Sequence, residues 1–455
     1  MGPVHAARHE GLAAAAALAV VFEEPDGAAG PSAAIRWGGD VEQDRVVVIG
    51  GGVIGVTSAY YLAQEGFAVT LLDKGEVCSG SSHGNAGLIV PSHIVPLAAP
   101  GVWWQGVKWM LDPESPFYIK PRLDLELARW LWRFRAACTE ARMRQAIPLL
   151  RRLTVESLRL YREFAERGEF DFGFRQPGSM TVFFTEEGLA HGRAEARLAA
   201  EFGVPIEVLD GAAARAAEPA LRPGVAGALF GREDALLVPD RFVKGVARLA
   251  AAVGVRVATG SEVLGFQTRG DRLTAVETTR GPVAADTVVL AAGAWSPAIG
   301  RTLGLRVPIQ PAKGYSLTFR RPARGPNIPL LPAEGRFSVT PMGEFLRFGG
   351  TLELAGMDLS INRRRVDALR RKALACLEGV DGLELLEIWR GLRPCTPDGL
   401  PLVGRSRRFA NLVLAAGHAM VGMSLGPVTG KLVTQLVQDK PPWTDIQPLD
   451  PDRFR

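Results

Sequence analysis

Cysteine is scarce: four residues in 455 (Cys78, Cys138, Cys376, Cys395), with no C-x-x-C pair among them. That excludes a disulfide framework or a zinc ribbon and fits a reducing compartment. Histidine numbers only six, without an H-E-x-x-H or comparable cluster, so no metal site can be read. Long apolar runs are also lacking. The run Leu12 to Phe22 is eleven residues, mostly Ala, and too short to span a bilayer. Glu10 stands just before it and no twin-Arg precedes it, so export is not expected. Lysine is rare as well: eight of the 53 basic residues, against 48 acidic ones, for a net charge of +5. An Arg-heavy, Ala-rich chain reflects a GC-rich genome as readily as a nucleic-acid partner. No recognised binding motif accompanies the charge, so nucleic acid is not expected as a partner. The 52 Gly and 32 Pro stay below the load of low-complexity chains, which excludes a disordered or fibrous protein.

What is present suffices for two or three domains with a large core, since 47% of 455 residues are apolar. Residues 1–44, rich in Ala, Gly and Pro, read as a flexible extension or an over-long start. From Arg45 the pattern sharpens. Val46-Val47-Val48-Ile49 is a continuous β-branched run, the signature of a buried parallel strand. Gly50-Gly51-Gly52-Val53-Ile54-Gly55 follows, then helical spacing to Gly66, then a second apolar strand, Ala68 to Leu72, ending at Asp73.

Gly50-x-Gly52-x-x-Gly55 in that setting is a dinucleotide fingerprint. Gly50 permits the tight turn, Gly52 lets the backbone approach a pyrophosphate, and Gly55 lets helix and strand pack closely. The helix start through Val53 and Ile54 supplies N–H donors and partial positive charge. Asp73 is placed to accept from ribose hydroxyls. The fingerprint alone does not distinguish NAD from FAD.

Further along, residues 120–175 read as long Arg- and Leu-rich helices, and Gly178 to Phe184 and Arg256 to Thr279 as short strands. Val288-Val289-Leu290 reads as a buried strand, and the last unit as strand Leu412 to Ala415, a Gly-rich turn and a helix from about Leu425 to Val437.

Five segments in order resemble the glycine/D-amino acid oxidase superfamily of FAD-dependent oxidoreductases, most closely its bacterial D-amino acid dehydrogenases. They are Gly80-Ser81-Ser82-His83-Gly84-Asn85-Ala86-Gly87-Leu88, Val288 to Ser296 around Ala292-Gly293-Ala294-Trp295, Pro311 to Ser316, Gly391 to Gly399, and Gly417 to Met423. With the first strand they extend the resemblance from Val46 to Val437. It implies FAD, with Lys74, Ser81, Ser82, Asn85, Ala86, Gly87, Val263, Ala292, Gly293, Trp295, Gly391, Gly417, Gly422 and Met423 at the cofactor beside the fingerprint residues. The hydroxyls of Ser81 and Ser82 can donate to phosphate, and the small residues of that loop allow approach to a flat ring.

The resemblance also implies that Arg393, in Gly391-Leu392-Arg393-Pro394, binds the substrate carboxylate. A planar guanidinium forks onto a carboxylate with two parallel hydrogen bonds. Tyr315 adds a hydroxyl to that carboxylate, shapes the side-chain pocket, or is a core residue. His418 completes the catalytic candidates, although hydride transfer to a flavin needs alignment more than a protein base. It reads better as a packed or flavin-adjacent histidine, with the amides of Gly422 and Met423 facing the anionic reduced ring.

Two departures bear on attachment. Relatives that bind FAD covalently use a His where this chain has Gly84, with His83 one place early, or a Cys where it has Gly391. Noncovalent FAD is therefore expected.

The expected fold is α/β: a discontinuous Rossmann-like FAD domain (45–100, 232–305, 388–440) and a mixed-sheet α+β substrate domain (101–231, 306–387). The expected reaction is oxidation of a small D-amino acid to a 2-oxo acid and ammonia, electrons passing to a quinone or other acceptor. The rivals are an oxygen-using oxidase, a dehydrogenase for glycine, sarcosine or D-hydroxyproline, and a non-catalytic flavin-binding electron-transfer subunit. A soluble NAD dehydrogenase is a further option. Residues 120–175 carry thirteen basic against eight acidic residues, and Trp103, Trp104, Trp109, Trp130 and Trp132 lie in or just before them. This Trp-rich stretch, 101–175, is either a peripheral contact with an anionic membrane face or a helix pair with inward Trp and solvated Arg. The expected location is cytoplasmic, with the inner face of the membrane as the place of any such contact.

Overall fold

A computed structural model describes residues 44–455 except Leu111, Pro113, Asp381 and Arg455. The extension expected over 1–44 thus lies, but for Asp44, outside the described residues. Val46 to Ile49 are buried, as a continuous β-branched run requires when both faces of a sheet are covered. This strand, Arg45–Ile49, pairs in parallel with Ala68–Leu72 on one side and Thr287–Leu290 on the other. Arg256–Ala258 extends the sheet beyond Ala68–Leu72, and Leu412–Ala416 extends it beyond Thr287–Leu290, both in parallel. Leu402–Arg405 closes the edge antiparallel. Helices Val53–Gln64, Pro239–Ala252 and Gly426–Val437 share one core with this sheet through Val53, Tyr61, Phe242 and Val433. The other face, through Val47, Ile49 and Leu290, packs on Leu273 and Val276 of a small antiparallel sheet.

The second large sheet has nine strands. Leu385–Cys395 lies at its edge, followed by Gln310–Arg320, Phe345–Leu354, Phe337–Met342, Leu330–Pro332, Ser179–Phe183, Gly227–Gly231 and Glu207–Asp210, and Phe117–Ile119 pairs with Phe345–Leu354. Helix Arg363–Ala375 covers Tyr315, Leu317 and Phe348 with Val366, Leu369 and Ala373. The long helices expected in the middle are Leu125–Ala137 and Glu140–Arg167. Capping explains the bounds of the second: the Thr139 hydroxyl accepts from the Arg142 amide, and Gly168 ends it at φ 66°. The two sheets make this a two-domain α/β protein whose segments interleave along the chain.

The boundary expected at 388 falls inside Leu385–Cys395, which pairs with Gln310–Arg320 over nearly its whole length. Residues 388–395 therefore belong to the mixed sheet. The partner strand that fixes this is seventy-odd residues earlier, out of reach of local patterning.

Candidate cofactor and substrate site

One cavity of about 1860 Å³ is bounded by both large sheets and by the helices Val102–Trp109 and Leu125–Ala137. Single-ligand pockets run to roughly 300–1,000 Å³. The volume suits a dinucleotide together with a small substrate.

At one end lies the fingerprint turn. Gly50, Gly52, Val53, Ile54, Asp73 and Lys74 line the cavity, whereas Gly55 does not. A Cβ on Gly55 would sit 1.8 Å from the Gly50 carbonyl oxygen, so its role is close packing of helix on turn. The Asp73 carboxylate accepts from the amides of Gly51 at 2.6 Å and Gly75 at 2.8 Å. Burial raises its pKa above the ordinary carboxylate value, and these amides oppose that shift. Asp73 thus braces the glycine turn, and its remaining lone pairs are what a ribose can use. The turn is a main-chain cradle that an added side chain would fill, and it fits the pyrophosphate of a dinucleotide.

The Gly80 to Gly87 loop meets this turn from above. The Ser82 hydroxyl accepts from the Val53 amide at 3.0 Å, which leaves its proton free to donate onward. The Ser81 hydroxyl instead donates to the Leu392 carbonyl at 2.5 Å. That corrects the expectation of a phosphate donor at Ser81: its proton ties the loop to the strand carrying Arg393. Asn85 and Ala86 line the cavity, and Gly87 lies behind it, its amide donating to Asn85 Oδ1 at 2.8 Å. Val263, Ala292, Gly293, Trp295, Gly391, Gly417, Gly422 and Met423 all reach the cavity wall, and the Lys74 ammonium lies 4.7 Å from the Trp295 ring.

Three side chains that the sequence did not single out hold this loop. Arg347, 5% exposed, donates to the carbonyls of His83 and Asn85 at 2.8 and 3.0 Å. Glu387 accepts from the His83 ring at 2.9 Å, and this bond, opposed by partial burial, leaves its pKa below the usual range. Trp389 lies against the α-carbons of Gly84 and Gly391, where a Cβ would fall 1.9 and 1.8 Å from its ring atoms. Arg347 is one arginine among 45 and carries no local signal. Trp389 was within reach of the sequence, two residues ahead of a recognised segment.

At the far end, Arg393 donates to the Thr351 carbonyl at 2.8 Å. Thr351 sits at φ 66°, beside a register shift that turns its carbonyl out of the ladder. Among the described residues no carboxylate lies within ion-pair reach of Arg393, and burial lowers its pKa. The guanidinium lies across Gly314, whose absent Cβ would be 1.8 Å from Arg393 Nη1. A half-buried cation that faces a cavity with no carboxylate in reach suits an anion.

Tyr315 is corrected. It is fully buried in the mixed-sheet core and accepts from the Asn362 amide at 3.1 Å, outside the cavity lining. Arg393 pairs with Ala312 and lies over Gly314, so the next residue, Tyr315, projects from the opposite face of the strand. His418 lines the cavity, but its ring is buried, Nε2 lies 3.0 Å from the Thr429 hydroxyl, and burial pushes its pKa down to about 3. It is a neutral, packed imidazole beside Cys395.

The chain matches the family described as FAD dependent oxidoreductase (DAO) over residues 45–436. This chain belongs to that family, and its cofactor is FAD. A D-amino acid dehydrogenase from Granulibacter bethesdensis is 33% identical over 420 residues, 90% of this chain and 99% of that protein. One from Methylobacterium radiotolerans is 35% identical over 406 residues, covering 88% and 96%. Among solved structures, glycine oxidase from Geobacillus kaustophilus superposes with a TM-score of 0.75 at 25% identity, covering 90% of this chain and 99% of that one.

Proposed function

We propose that this protein oxidises D-amino acids to 2-oxo acids and ammonia, as a dehydrogenase that passes electrons to a quinone or another acceptor. The observation that carries the reading is Arg393, a half-buried cation with no carboxylate in ion-pair reach among the described residues, in the same cavity as the fingerprint turn. Its fork takes the substrate carboxylate and so orients the amino acid. Bound FAD supplies the acceptor for the electron pair released when the Cα–H bond breaks. The fingerprint turn, Ser82 and the Asn85-Ala86 backbone hold it, Gly422 and Met423 border it, and His418 stays neutral and takes no proton. The names of the two dehydrogenase relatives support the substrate class.

Arg393→Ala tests the reading. Flavin content is expected to stay normal while anaerobic flavin reduction by D-amino acids falls by roughly 10²- to 10³-fold. Unchanged reduction would leave a flavin-binding electron-transfer subunit as the better account. Reoxidation by oxygen as fast as by a quinone would make the enzyme an oxidase, and preferred turnover of glycine, sarcosine or D-hydroxyproline would move it to those classes.

FAD is held noncovalently in this reading, because Gly84 and Gly391 offer no side chain and Trp389 covers both. Acid precipitation should release all yellow colour. We assign residues 45–100, 232–305 and 396–440 to the FAD domain and the intervening segments to the substrate domain.

A second reading concerns the surface. Trp130 is buried, but Trp104 and Trp132 are 65% and 70% exposed, and Leu123 and Leu125 project fully or largely into solvent. Leu125 and Trp132 share one helix face, and Lys108 and Arg135 lie beside the two exposed indoles. No helix among the described residues is long and apolar enough to cross a membrane. This patch is a peripheral foothold on the anionic inner face of a cytoplasmic membrane. The protein should sediment with phosphatidylglycerol vesicles and not with phosphatidylcholine vesicles, and a Trp104→Ala/Trp132→Ala variant should lose that association.

A further inference from the structure

We propose that the site takes amino acids with a large apolar side chain, aromatic ones above all, and that Phe117 and Trp103 set this preference. The inference rests on the D-amino acid reading and adds the substrate's side chain to it.

The wall next to Arg393 is apolar and built from the helices before and after the Phe117–Ile119 strand. Phe117 pairs with Leu352, the residue after Thr351, whose carbonyl holds the Arg393 guanidinium. Ile119 pairs with Leu354. Helix Val102–Trp109 closes over Phe117 at Gly106, where a Cβ would stand 3.3 Å from the ring. Trp130 donates its indole N–H to the Cys395 carbonyl at 3.0 Å, two residues from Arg393, and stacks on Phe134 with ring centroids 5.2 Å apart. Ala312, directly across from Arg393, belongs to the same apolar cluster as Trp130, Leu354 and Cys395. Trp103, Phe117, Ile119 and Leu131 pack against that cluster.

The carboxylate-binding cation and the apolar wall are thus one or two residues apart on shared strands. Trp103, Phe117, Ile119 and Leu131 are only half-buried and line the cavity, so apolar surface faces the space beside the guanidinium. Leaving that surface wet is unfavourable, and glycine or D-alanine would cover little of it. A phenyl or indole ring covers it and meets aromatic faces. Arg336, which also lines the cavity, lies over the Trp109 ring at 5.5 Å, so an acidic side chain is the alternative that a substrate panel must include.

The test is anaerobic flavin reduction in the holoenzyme with D-phenylalanine, D-leucine, D-alanine, D-glutamate and glycine. We expect kcat/KM for D-phenylalanine to exceed that for D-alanine and glycine by about tenfold or more. Equal or better turnover of D-alanine, glycine or D-glutamate overturns the inference and leaves D-amino acid oxidation standing. No reduction by any of the D-amino acids overturns that reading itself, and this inference with it. Phe117→Ala should lower the D-phenylalanine to D-alanine ratio about tenfold. An unchanged ratio removes Phe117 from the pocket. Should that variant fail to fold, titration of the wild-type flavin spectrum with benzoate and acetate decides: benzoate is expected to bind the more tightly, and equal affinity overturns the inference.

Discussion

The two ends of the cavity are made of different materials. At the fingerprint end the wall of the turn is mostly main chain, kept open by glycines so that a ligand can touch backbone, with Asp73 and Ser82 as its polar side chains. At the Arg393 end a cation and a set of aromatic rings converge from four separated stretches, 102–134, 310–320, 345–354 and 385–395. Damage should therefore take opposite forms. Adding atoms harms the first end, and removing or shifting side chains harms the second.

The contrast is sharpest at Gly55. Gly55→Leu drives a side chain into the Gly50 carbonyl, costs about 3 kcal/mol or more, and should yield colourless, heat-labile protein. Flavin absorbance and a thermal melt check this, and a yellow, stable variant would break the comparison at its first end. Gly314→Val tests the second end without touching the cofactor. The displaced guanidinium should lower kcat/KM on the order of a hundredfold at normal flavin content.

Glu387 joins the two ends by holding the loop between them. Its pKa is depressed mainly by the His83 hydrogen bond, so its stabilising contribution is present above the ordinary glutamate value and disappears as pH falls through the depressed one. The melting temperatures of wild type and Glu387→Gln should differ at pH 7 and converge as the solution is acidified below the usual carboxylate range. A gap that widens toward acid would reverse the assignment. The smallest effect belongs to Tyr315→Phe, which removes the acceptor of one backbone amide, that of Asn362, at a cost of about 1 kcal/mol and leaves KM unchanged. A raised KM would return Tyr315 to the site.

Legibility followed the range of the interactions. The Gly50 turn, Asp73 and the strands around them were readable because a contiguous run of residues carries both the geometry and its function. Arg393 was readable through its short Gly-x-Arg-Pro setting. The face on which Tyr315 falls was not, because alternation along a strand fixes only relative sides, and Gln310–Arg320 gains its absolute side by pairing with Leu385–Cys395. Arg347 and the Phe117 wall were hidden for the same reason: each matters through a neighbour more than two hundred residues away. The phosphate role expected of Ser81 failed because the Leu392 carbonyl that takes its proton is a tertiary partner, more than three hundred residues away.

The central sheet has a consequence for how the protein comes into being. Arg45–Ile49 pairs early with Ala68–Leu72 but cannot gain its second neighbour until Thr287–Leu290 has been made, more than two hundred residues later. At a synthesis rate of ~5–20 residues per second, the first strand waits roughly tens of seconds on the ribosome with an unpaired edge. Such non-local pairing folds slowly and exposes sticky intermediates. The cavity wall also includes Gly417 to Met423, so the flavin site is complete only when the chain is nearly finished, and chaperone supply and free FAD together should govern the yield of active protein on overexpression.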